Sequence, residues 1–212
     1  HARSFARYHS TNLDSYTALV AMTTSIQVPF RAYAAPERYA SVNDAPNLAR
    51  GLRSAGFRGL FVSTYEHQPF VPNPRDWDQV LDRGDLGDLE GWTSLGSNRM
   101  EAATEDRAAL PAIVDFMRAG PRSLVLAELV FGHSPEWRAR TGTTPVDYYD
   151  RYLTDLWDRL TAAGLAARTL LVVVSDHGER SRPSDPENYR VPLLVVGEGV
   201  APGEDRAFRS HL

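Results

Sequence analysis

The chain has 212 residues, 42% of them hydrophobic and 24% charged, the balance of a globular protein with room for a sizeable core. A net charge of −4 gives no electrostatic case for a nucleic-acid partner. There is no Cys and every basic residue is Arg, so disulfides, thiolate sites and lysine Schiff bases are excluded. The longest apolar runs are of strand length and too short to span a membrane.

In chain order, the first pattern is Ser10–Ser25. Thr11 followed by Asp14 has the form of a helix start, with Leu13, Tyr16, Val20 and Thr24 on one face. Thr11 can serve there simply as an N-cap. Val28–Ala40 is rich in Pro and aromatic residues and reads as loop. Asn43 or Asp44 can cap a second helix with Pro46 in its first turn, Leu48 and Leu52 inward and Gly56 at its end. Phe57–Ser63 reads as a strand, followed by His67 in a loop, where a lone His is more often solvated than bound to anything. Pro69–Asn98 is irregular, and Trp77 and Trp92 are expected to anchor it to the core.

Glu101–Ala119 follows as a helix with Leu110, Ile113, Val114 and Met117 at helical spacing. Ser123–Phe131 reads as a buried strand leading into Gly132-His133-Ser134-Pro135. Thr144 caps a further helix with Pro145 at its first position and an apolar stripe of Val146, Tyr149, Leu153, Leu156, Trp157 and Leu160. The order of elements is mostly alternating. It predicts an α/β fold over 1–212, one domain with a mostly parallel sheet and helices on both faces.

The chemistry concentrates in Arg168–Glu179. Thr169–Val174 is a continuous β-branched, apolar run, the pattern of a parallel strand covered on both faces. Ser175, Asp176, His177, Gly178 and Glu179 then arrive together, at the strand end where open α/β sheets place ligands. Asp176 offers hard oxygen and His177 imidazole nitrogen, a donor pair suited to Zn or Mn. Gly178 lets the backbone turn behind them.

Ser175-Asp176-His177-Gly178-Glu179 after a Val-rich strand resembles the metal motif of the alkaline phosphatase superfamily, in its sulfatase-like branch with lipoteichoic acid synthases and phosphoethanolamine transferases. Tyr189–Val196 resembles the strand after that motif, Gly199–Gly203 its exit turn, and Leu160–Leu165 with Arg168-Thr169 its lead-in. The resemblance implies one divalent ion, Zn or Mn, held by Asp176, His177 and the oxygen of a Thr or Ser nucleophile at a helix N-terminus. Thr11 is the first choice for that nucleophile, with Ser15, Thr17 and Asp14 as alternatives. Gly132–Trp137 resembles a family turn whose His contacts the substrate phosphate, which implies a catalytic role for His133. In related enzymes the region that Pro69–Asn98 resembles shapes the substrate pocket, which would let Trp77 and Trp92 line it.

The chain departs from the family in places. No His stands in Arg180–Asn188, which leaves a second metal doubtful, and His211 resembles a terminal metal-binding His only in outline. The family's first buried strand ends in a metal-binding acid, and no such strand precedes Ala2–Tyr8. The expectation is an excerpt of a longer protein. No Cys/Ser-x-Pro-x-Arg stands near the helix start, which argues against an arylsulfatase. The implied activity is phosphoryl hydrolysis or transfer on a phosphate ester or a lipid- or glycan-phosphate. The alternative is a binding protein with a degraded site. Membrane anchoring would come only through segments outside this sequence, and an extracytoplasmic place would follow the transferase relatives.

Overall fold

A computed structural model of the chain describes residues 1–11, 13, 15–26, 45–64, 74–87, 105–130, 142–178 and 184–210, with Tyr16 by its backbone alone. The chain divides into two compact units, one of residues 1–51 and 167–212, the other of residues 52–166.

The first unit is built on a mixed four-stranded sheet. Its strands are β1 (Ala2–Phe5), β6 (Leu171–Val174), β7 (Leu193–Val196) and β8 (Gly203–Asp205), in the order β6-β7-β1-β8. β7 pairs antiparallel with both β6 and β1, while β1 and β8 run parallel. Two short strands, β2 (Tyr8–His9) and β9 (Arg209–Ser210), form a separate parallel pair. Helix α1 (Ser15–Thr24) begins at Ser15, four residues after the predicted start at Thr11. Thr17, Ala18, Leu19, Val20 and Ala21 are all buried, so α1 is enclosed on more than the single face that the spacing predicts.

Two expectations for β6 are corrected. It pairs antiparallel with β7, with Val172 opposite Val195, instead of running in a parallel ladder. It also ends the strand order among the described residues, and Val172 is 51% exposed. An unbroken apolar run therefore does not mark burial on both faces here. β-branched residues favour a strand at the edge of a sheet as well as in its middle.

The second unit carries an all-parallel sheet. β3 (Arg58–Ser63) lies between β4 (Gln79–Leu81) and β5 (Ser123–Glu128), with Phe61 opposite Val80 and Leu126. Leu60, Phe61 and Val62 are fully buried, as a central parallel strand requires. β4 lay unmarked in the sequence because three residues are too few to show a period. Trp77, just before it, is buried and packs edge-on against Phe61, which is the predicted anchoring. Trp92 lies outside the described residues.

Helix α2 (Leu48–Ser54) starts from Asn47, whose side chain accepts from the Arg50 N–H, and it ends at Gly56, in the left-handed region as expected. The predicted inward Leu48 is 48% exposed, and Ala49 is the buried position. After a short helix α3 (Arg83–Leu86), the long helices are α4 (Ala109–Arg118) and α5 (Pro145–Ala162). α4 buries Leu110, Ile113 and Val114 as predicted, with Phe116 in place of Met117. Thr144 caps α5 as predicted, accepting from the Asp147 N–H. The stripe of α5 runs through Tyr152, Leu156 and Leu160, while Val146 is 78% exposed.

A buried polar network, unmarked by any sequence pattern, ties this unit together. Asp106 accepts from the Thr64 hydroxyl (2.7 Å) and the Val130 N–H (3.1 Å). The Tyr148 hydroxyl donates to Glu105 (2.6 Å) and accepts from the Asp106 N–H (3.1 Å), and Arg107 donates to Glu105 (2.9 Å). Burial, then the Asp106 and Glu105 charges, pushes the Tyr148 phenol well above its ordinary value, and burial does the same at Tyr152. Above about pH 10 the unfolded chain gives up phenolic protons that the folded chain keeps. Stability is therefore full below that pH and falls as pH rises, by up to about 1.4 kcal/mol per pH unit for each such phenol. The Tyr152 hydroxyl is buried without a hydrogen-bond partner among the described residues. Tyr152→Phe should then be neutral or stabilising at pH 7 by about 1 kcal/mol and should flatten the alkaline loss. Urea unfolding at pH 7 and pH 11 checks both, and a destabilised variant at pH 7 would contradict them.

Candidate active site

The site is assembled where β6 ends. Ser175 keeps one ladder-like contact, its N–H to the Pro192 carbonyl at 3.4 Å, and the chain then turns out of the sheet. Within that turn the Ser175 hydroxyl donates to the His177 carbonyl (2.9 Å), and the His177 N–H donates to Asp176 Oδ1 (2.8 Å). The second carboxylate oxygen of Asp176 is left 3.5 Å from His177 Nε2.

His177 is oriented by its other nitrogen. Nδ1 lies 2.7 Å from the Gly178 carbonyl, and a carbonyl only accepts, so Nδ1 carries a hydrogen. In the neutral ring this turns the Nε2 lone pair toward Ser15, whose Oγ is 3.3 Å away. The imidazole is 9% exposed and the Asp176 carboxylate 33%, so the ring is largely shielded while the carboxylate stays partly open to solvent.

Ser15 arrives from the far end of the sequence for a structural reason. Val191 N–H donates to the Tyr8 carbonyl, Ser10 N–H donates to the Tyr189 carbonyl (2.7 Å), and His9 bridges Arg190. The chain entering α1 is thereby laid along the chain leaving the motif, and the first residue of α1 meets His177. The N-terminal end of α1 also carries positive dipole character.

Gly178 is glycine for space. A Cβ there would overlap the Asn188 carbonyl oxygen and lie 2.8 Å from its carbon. Its φ is not in the left-handed region, so close approach and not a special turn explains it.

Of the predicted site residues, the structure brings together Asp176, His177 and Ser15. Thr11 is half-buried and lies four residues before α1; Thr17 is fully buried inside that helix. Asp14, His67, His133, Glu179 and His211 lie outside the described residues. Among the described residues no three His, Asp or Glu side chains gather as a metal cluster, and no helix is long and apolar enough to cross a membrane.

The cluster fits a divalent cation in its donor spacing. Two ligands at about 2.0–2.2 Å from a tetrahedral ion stand about 3.3–3.6 Å apart. The separations of His177 Nε2 from Ser15 Oγ and from Asp176 Oδ2 are 3.3 and 3.5 Å. A His that donates its remote N–H to a backbone carbonyl is also the usual arrangement of a metal-binding imidazole.

The sulfatase family model matches residues 139–212. No curated protein matches the chain. Among solved structures it is similar to the lipoteichoic acid synthase LtaP from Listeria monocytogenes (16% identity, TM-score 0.77), covering 100% of this chain and 60% of that one. It is also similar to a protein in the alkaline phosphatase superfamily from Vibrio parahaemolyticus (16% identity, TM-score 0.75), covering 99% of this chain and 55% of that one. A third similarity is to the C-terminal periplasmic domain of EptC from Escherichia coli in complex with Zn (16% identity, TM-score 0.59), covering 92% of this chain and 61% of that one. The chain thus spans between half and two thirds of the length of these proteins. It has the α/β fold of the alkaline phosphatase superfamily, and residues 139–212 carry the sulfatase-family sequence pattern.

Proposed function

We propose that the protein is a metal-dependent hydrolase or transferase of phosphate esters, working through a hydroxyl nucleophile. The observation that carries this is the convergence of Ser15 Oγ, His177 Nε2 and Asp176 Oδ2 at the start of α1, within 3.3–3.5 Å of the imidazole nitrogen. Asp176, His177 and Ser15 would hold one Zn or Mn ion. Such an ion, when bound, lowers the pKa of a hydroxyl and polarises a phosphoryl oxygen.

The chain's own residues do the rest. Ser15, rather than Thr11, is the nucleophile that this geometry favours. The N-terminal N–H groups of α1 stabilise phosphate charge in front of it. Ser15 Oγ forms a bond to phosphorus, the ester oxygen leaves with its bonding electrons, and the serine proton passes to it or to solvent. Water, or an acceptor alcohol, then displaces the serine from phosphorus. His133 would act on the substrate phosphate by the family resemblance.

Phosphoryl in preference to sulfuryl transfer is supported by the residues after Ser15. Thr17 and Leu19 stand where a Ser-x-Pro-x-Arg pattern would have Pro and Arg. The relatives named as a lipoteichoic acid synthase and a periplasmic domain point to a lipid- or glycan-linked phosphate outside the cytoplasm.

The test is metal binding. Wild type should hold about one Zn²⁺ or Mn²⁺ per chain by elemental analysis after loading and dialysis, and Asp176→Ala and His177→Ala should each weaken binding by at least about tenfold. Turnover of bis(p-nitrophenyl) phosphate should follow the metal. A wild type that takes up no metal would overturn this reading and leave a binding protein on the same fold.

A further inference from the structure

We propose that Ser175 is a positioning residue that sets the orientation and tautomer of His177; its consequence for metal affinity rests on the metal-site reading above. Backbone groups that leave a sheet lose their ladder partners and must find others. The His177 carbonyl finds the Ser175 hydroxyl at 2.9 Å, which closes a short side-chain-to-backbone turn across Asp176. That turn fixes the peptide joining His177 to Gly178. With the peptide fixed, Nδ1 donates to the Gly178 carbonyl at 2.7 Å and Nε2 is directed to Ser15 at 3.3 Å. The same turn lets the His177 N–H occupy Asp176 Oδ1, which leaves Oδ2 beside Nε2. One hydroxyl thus aligns the Asp176 and His177 donors together.

The alternative is that Ser175 merely stabilises the end of β6. Three proteins separate the two: wild type, Ser175→Ala and Ser175→Thr, since threonine keeps the hydroxyl. In the metal-free protein, ¹⁵N spectra of the His177 ring should show the Nδ1–H tautomer dominant in wild type and in Ser175→Thr, and a tautomer mixture in Ser175→Ala. Zn²⁺ affinity by calorimetry should fall about 10–100-fold in Ser175→Ala and be recovered in Ser175→Thr. A purely structural role would lower the melting midpoint and leave tautomer and affinity alone. Wild-type tautomer and affinity in Ser175→Ala would overturn the proposal, as would a Ser175→Thr protein as impaired as Ser175→Ala. Should wild type bind no Zn²⁺, the metal-site reading fails by itself, and the metal-free ring spectra still decide the role of Ser175.

Discussion

Ser15→Ala is expected to lower kcat/KM on a phosphodiester by about 10⁴-fold or more, the scale of losing a covalent nucleophile. Thr11→Ala is expected to change it less than about tenfold, the scale of an N-terminal hydroxyl acting through local structure. The contrast follows from placement. Ser15 is the first residue of α1 and its Oγ lies 3.3 Å from His177 Nε2, whereas Thr11 lies four residues earlier. The loss should fall mainly on kcat, because a nucleophile contributes in the transition state and little to substrate binding. Steady-state kinetics of the two variants, with Zn²⁺ or Mn²⁺ content measured alongside, gives the answer. Collapse in Thr11→Ala with turnover kept in Ser15→Ala would return the nucleophile to Thr11.

The same pair of residues shows how far the sequence could be read. Asp176 and His177 stood out as candidates because they are adjacent, follow a β-branched run and sit in a recognisable motif. Ser15 stayed one of several hydroxyls because its partner lies 162 positions away. No local pattern reports a contact that depends on residues 8–10 running beside residues 189–191. The parallel sheet of the second unit was legible through Phe57–Ser63 and Ser123–Phe131, long enough to show their apolar character. β4 and the short strands β1, β2, β8 and β9 were not, since two to four residues are specified by their neighbours in the sheet more than by their own propensity. The Glu105–Asp106 pair was hidden for a related reason: two acids within the predicted helix Glu101–Ala119 look like a solvated face until Thr64, Val130 and Tyr148 are seen around them.

Gly178→Ala is expected to damage the site more than any other conservative change in the turn. The added carbon would overlap the Asn188 carbonyl oxygen, and both partners are backbone, so no side chain can swing aside. Neither strand of the contact is free to yield. On one side the His177 carbonyl is held by Ser175 and the Gly178 carbonyl by the imidazole. On the other, Asn188 donates to the Asp185 carbonyl, the Tyr189 carbonyl holds Ser10 and Arg190 Nε donates to the Ala6 carbonyl. A shift of Asn188 therefore pulls on the chain entering α1, and a shift of Gly178 pulls on the His177 ring. The overlap should cost about 1–3 kcal/mol in stability and about 10–100-fold in Zn²⁺ affinity, as for loss of a group that orients a ligand. Gly197→Ala is the matched control, because its Cβ would stand 2.8 Å from the Thr169 carbonyl oxygen, again backbone, at the other end of β6 and β7. Both variants should melt earlier than wild type, and only Gly178→Ala should lose metal affinity and turnover beyond what its stability explains. Equal Zn²⁺ affinity in Gly178→Ala and wild type would mean that His177 is not held in place by the approach of Asn188.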